Sequence, residues 1–200
     1  MMGLLLVTLA SAQSPDDIRP RLAPTDAPQQ YAEYARSQGR SDVLACEPFW
    51  PGSALLCWQN GDGEWVTAST VREWGTTHAD LVEKATVAAR EHFAAGWTEV
   101  PVDGMTGSYF MAPDPDGWAH GAVLVPDVIA TITGTPTFYV TAPVQGVVLA
   151  WSPGNAELDH VIAVGAHKMF DNEHGPVTPV VFRFAGRWRP FVEAKPTAVP

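Results

Sequence analysis

The chain has 200 residues, 46% of them hydrophobic and 17% charged, which is enough apolar side chain for a packed domain and far from a disordered composition. Its formal net charge is −10, with 22 acidic residues against 12 Lys and Arg. A chain this acidic is a poor match for phosphate backbones, and its one basic cluster, Arg183, Arg187 and Arg189, is small, so neither nucleic acid nor an anionic membrane surface is an expected partner.

In chain order, the apolar run Gly3 to Ala10 is too short to span a bilayer but has the length of a signal-peptide core. It ends in Ala10-Ser11-Ala12, a small-x-small cleavage pattern. No Lys or Arg precedes it, so the positive end of such a signal would be the amino terminus alone. The expectation is a signal peptide over residues 1–12 and a secreted or periplasmic protein. Residues 13–40, with Pro15, Pro20, Pro24 and Pro28, read as a linker ending in a short helical patch around Tyr31 to Ser37. Residues 41–195 read as a single domain.

Export bears on the two cysteines, Cys46 and Cys57. In an oxidising compartment a lone pair is most simply a disulfide, whose loop would restrict the unfolded chain by roughly 2 to 3 kcal/mol. A metal site would need two more ligands, and thioredoxin-type chemistry needs a two-residue spacing where this chain has ten. The competing reading is Cys57 as an ordinary buried strand residue.

After Ser53 the chain alternates, turns at Asn60-Gly61-Asp62-Gly63 and continues from Glu64 to Ser69, the pattern of a hairpin. Asn60, Asp62 and Glu64 also sketch a calcium loop, but the closing carboxylate is missing and a plain turn is expected. Thr77 can cap a helix with Asp80 three residues on, in an approximate capping box, and Gly96 can end it. Leu81, Ala85, Ala88, Ala89 and Phe93 share its apolar arc with His92. Gly104 to Met111 reads as a strand, and Asp114-Pro115-Asp116-Gly117 as a surface turn. Pro126 to Thr133 reads as a helix stopped by Gly134. Thr137 to Ala142 and Val147 to Ser152 form a second, buried hairpin. A helix follows from Asn155, and Val180 to Val192 folds back as a terminal hairpin. The sum is an α+β fold in which antiparallel hairpins form a sheet packed against two or three helices.

Colinear motifs carry a resemblance. Trp74-Gly75-Thr76-Thr77, followed by Leu81 and Ala85, resembles the Trp-Gly-x-Ser helix start of the YtpQ-like bacterial family. The likeness continues through Leu124-Val125-Pro126, Tyr139-Val140-Thr141-Ala142-Pro143 with Val147-Val148-Leu149, and Pro176 to Phe182 before Gly186-x-Trp188. It covers most of residues 54–190. Members tend to carry Asn-Leu where this chain has Ala88-Ala89, and polar residues after the hairpin proline where it has Val144-Gln145-Gly146. The resemblance implies an α+β fold and supplies no reaction.

No nucleophile elbow, phosphate loop, zinc-protease pattern or dinucleotide fingerprint is present, so no cofactor or metal is expected. The eight Trp and four Tyr fall mostly at turns and strand ends, where an aromatic can anchor a partner or pack a hairpin. Phe49, Trp50 and Trp74 are the candidate binding residues. The expected function is an exported, monomeric binding domain for an unknown protein or small molecule. A small hydrolase is the alternative, and would need His92, His120 or His174 close to Asp103, Asp116 or Ser108.

Overall fold

The computed structural model describes residues 14–114, 117–173 and 175–191. The proposed signal segment lies outside them. The fold is α+β, built on two antiparallel sheets. Strands β1 (Ile18–Ala23), β2 (Glu47–Trp50) and β3 (Ala54–Asn60) form the first, in the order β1-β3-β2. Strands β4 (Thr98–Pro101), β5 (Ser108–Met111), β6 (Phe138–Thr141), β7 (Leu149–Trp151), β8 (Val181–Phe184) and β9 (Trp188–Pro190) form the second, in the order β4-β5-β7-β6-β8-β9. The described residues also form five α-helices, α1 (Ala27–Ser37), α2 (Ala68–Glu73), α3 (His78–His92), α4 (Pro126–Thr133) and α5 (Ala156–Asn172), and a 3-10 helix at Ala119–Leu124.

Where a linker ending in a short helical patch was expected, the linker part supplies β1, and the patch at Tyr31 to Ser37 is the later part of α1. Ile18, Pro20 and Leu22 point inward in alternation, and every residue of β1 pairs with β3. Pro20 hides this strand from a sequence reading because proline cannot donate to a ladder. It is tolerated here because, among the described residues, β1 is the edge of its sheet, with no strand on its other side. Pro28, which looked like another breaker, sits in the first turn of α1, where its missing N–H has no helical partner to lose.

The six-stranded sheet is covered on both faces, which is why β6 is buried at every position. Phe138, Val140, Ala150 and Phe182 face the larger core, shared with the first sheet, α3 and the 3-10 helix. Tyr139, Leu149, Trp151 and Val181 face the other way, onto Leu158 and Ile162 of α5. Period-two alternation thus sends neighbouring residues into two different apolar layers.

Helix α3 starts as its capping box dictates: the Thr77 hydroxyl accepts from the Asp80 N–H, and the Asp80 carboxylate accepts from the Thr77 N–H. Its buried stripe is Leu81, Ala85 and Ala89. Helix α4 ends at Gly134 in the left-handed conformation, φ 71°. The 3-10 helix approaches β1 closely at Gly121, where a Cβ would come within 3.1 Å of Pro20 and 3.3 Å of Phe93. Glycine at this position keeps that approach free of crowding beside His120, whose ring bonds the β1 backbone.

Candidate functional site

The register that pairs Glu47 with Leu56 leaves Cys46 and Cys57 directly opposite one another. Their Cα atoms are 4.2 Å apart and the sulfurs are bonded. The disulfide ties the start of β2 to the centre of β3, and the aromatic stretch Pro48-Phe49-Trp50-Pro51, whose first three residues belong to β2, lies between its ends.

Trp50 is fully buried, which corrects its assignment as a partner-anchoring residue. Its indole stacks on Phe182 at 4.2 Å and meets Trp188 edge-on at 5.7 Å, so the braced loop is bolted to the terminal hairpin. The indole N–H of Trp50 is buried without a hydrogen-bond partner among the described residues. Trp74 ends α2 and packs half-buried against the larger core. Phe49 alone of the three lines a groove, with its ring 6.5 Å from that of Trp188.

That groove, about 510 Å³, runs between β2 and the first turn of α3. Phe49, Leu56 and Val82 give it apolar walls, and Glu47 and His78 give it its polar groups. His78 is the first residue of α3, immediately after the Thr77 cap. Its Nδ1 accepts a hydrogen bond from the indole N–H of buried Trp58 at 3.1 Å. Because Nδ1 is an acceptor, the ring proton of the neutral imidazole sits on Nε2. That Nε2–H faces Oε2 of Glu47 at 4.0 Å, beyond direct hydrogen-bond range.

The His78 side chain is 15% exposed and that of Glu47 62%. Burial holds the His78 pKa below its ordinary value, with the Glu47 charge opposing. Two further features act with burial. A proton on Nδ1 would oppose the Trp58 N–H, and the helix N-terminus disfavours positive charge. His78 therefore stands as a fixed neutral donor beside a carboxylate acceptor. Among the described residues that line the groove, the one side-chain hydroxyl, on Thr77, is committed to Asp80 at 2.7 Å.

The residues considered for a hydrolase occupy other places. His120 is fully buried: its Nδ1 accepts from the Leu22 N–H at 3.0 Å and its Nε2 lies 3.3 Å from the Val144 carbonyl. His92 lies against Phe93 and Trp118. Ser108 donates to Glu99 across the β4–β5 pair. Among the described residues, neither His92 nor His120 shares a hydrogen bond or ion pair with Asp103 or Ser108. Asp116 and His174 lie outside the described residues. Asn60 Oδ1, the first oxygen of the supposed calcium loop, accepts from the Glu64 N–H and so closes a turn.

Sequence reading missed the pairing of His78 with Glu47. His78 was visible only as part of a helix start, 31 positions after Glu47. Nothing local signals that the disulfide-braced edge strand and that helix meet.

Among the described residues no helix is long and apolar enough to cross a membrane, and no group of three or more His, Cys, Asp or Glu could hold a metal ion. Comparison with protein-family models, curated proteins and solved structures gave no match. Fold and groove together define an α+β domain with a disulfide-braced cleft that offers one neutral donor and one carboxylate.

Proposed function

We propose that this is an exported binding domain and that its ligand occupies the groove between β2 and α3. The carrying observation is the approach of the His78 Nε2–H to the Glu47 carboxylate across 4.0 Å. That separation suits a ligand with two adjacent groups, an ammonium for Glu47 and a carbonyl oxygen for His78. An amino-terminal residue of a peptide has both, and its side chain would meet Phe49, Leu56 and Val82. A charged ligand amine fits a chain of net charge −10, since the surrounding field favours cations. The disulfide supports export, because such bonds persist in oxidising compartments. The motif on which the YtpQ-like resemblance begins, Trp74 to Thr77, is the segment that delivers His78 to the groove. We propose membership of that family on those motifs.

A small hydrolase remains the second reading, drawing on the same approach of His78 to Glu47. Leucine amide, titrated into isotopically labelled protein, tests both. Binding predicts shifts at His78 and Phe49 with leucine amide recovered intact. Release of leucine and ammonia, abolished by His78→Gln, would establish the hydrolase instead. No shift at either residue would overturn the site.

A further inference from the structure

A second groove, of about 490 Å³, shares no residue with the first. Five separate stretches of chain build it. Tyr31 and Tyr34 stand one turn apart on α1, their ring centroids 6.4 Å apart. Trp65 lines it from the segment between the Asn60 turn and α2, where the hairpin expected from sequence is reduced to isolated bridges such as that of Trp65 to Gln59. Gln145 comes from the β6–β7 connection, where its N–H donates to the Gly175 carbonyl at 2.9 Å. Ala23 and Leu44 form a buried floor.

Two properties of this groove restrict its occupant. First, among the described residues no charged side chain lines it, in a chain carrying −10 overall. An ionic ligand would be desolvated there without a counter-charge. Secondly, the aromatic tips are unspent donors. Among the described residues the Tyr31 and Tyr34 hydroxyls, the Trp65 indole N–H and the Gln145 side-chain amide have no hydrogen-bond partner. Tyr34 is 58% exposed, the setting of an aromatic that packs against something only when a partner is present. An indole N–H is a donor only.

We propose that this groove docks an uncharged, proline-rich peptide in the polyproline II conformation. Such a segment has no internal backbone hydrogen bonds, and each proline lacks an N–H, so it presents carbonyl acceptors and apolar ring faces. Those are the complements of unpaired aromatic donors and neutral aromatic walls, and its preformed extended shape reduces the ordering cost of binding. A saccharide also presents hydroxyl donors, and among the described residues no carboxylate lines the groove to accept them.

End-blocked decaproline is the probe, added to the labelled full-length protein. The Trp65 indole N–H resonance should shift on titration, while that of Trp58, at the other groove, should not. Tyr34→Ala and Trp65→Phe should each weaken binding about tenfold, with unchanged thermal unfolding for Tyr34→Ala because that ring is largely exposed. Trp65→Phe keeps an aromatic wall and removes only the donor, so it isolates the hydrogen bond. The proposal is overturned if Trp65 does not shift at millimolar decaproline, if both variants bind as the parent does, or if end-blocked decaproline is ignored and cellohexaose bound.

Discussion

Trp58 donates its indole N–H to Nδ1 of His78 at 3.1 Å, and this one bond fixes which nitrogen of His78 faces the groove. Nitrogen shifts of the ring should report the Nε2-protonated neutral form at pH 7, and titration should give a pKa below the ordinary histidine value. Trp58→Phe removes the donor that opposes protonation, so the His78 pKa should rise towards the ordinary range. Loss of the bond should cost about 1 kcal/mol in stability. A titration unchanged in the variant would contradict the assignment.

His120 joins the two sheets, with Leu22 of β1 on one nitrogen and the Val144 carbonyl, just past β6, on the other. Burial pushes its pKa down to about 4 from an unperturbed 6.5. The unfolded chain therefore binds a proton that the folded chain refuses between those values. Stability from this group is complete above pH 6.5 and falls as pH drops to about 4, by about 3 kcal/mol in all. Urea unfolding at pH 7 and pH 4 should show that loss. His120→Gln should be less stable at pH 7 and show a smaller difference between the two pH values.

Reduction of Cys46–Cys57 frees the loop between positions 11 apart in sequence. It should lower the unfolding free energy by about 3 kcal/mol on the chain-entropy account, read as a lower denaturant midpoint. Mass spectrometry of alkylated, unreduced protein from the extracytoplasmic fraction should find both thiols paired and a mature chain starting at Gln13. Recovery from the cytosol with free thiols would contradict export.

Trp50→Ala removes the ring stacked on Phe182 and should cost about 3 to 5 kcal/mol, the usual penalty for emptying a large aromatic site. Trp50→Phe should cost much less. It keeps an aromatic on Phe182 and removes an indole N–H that is buried without a partner, and whose desolvation already opposes folding.

The elements most legible in the sequence were those with local punctuation. The Thr77–Asp80 capping box, Pro126 and Gly134 around α4, and the β6–β7 and β8–β9 hairpins all lie where their turn and cap residues put them. What local pattern could not show was long-range pairing. Strand β1 was masked by Pro20, which only its edge position makes compatible with a sheet. The cysteine pairing followed from spacing and compartment, but the burial of Trp50 depends on Phe182 and Trp188, more than 130 positions away. Of the binding candidates, Phe49 lines the groove; His78 and Glu47 carry its chemistry and bear no motif.

Calorimetry with leucine amide and N-acetyl-leucine amide bears most directly on the groove as a binding site. The two differ in the ammonium group that Glu47 is proposed to receive. The parent protein should bind leucine amide at least tenfold more tightly than the acetylated form, and Glu47→Gln should remove most of that preference. Equal affinity for the two ligands, or a preference that survives Glu47→Gln, would contradict the assignment.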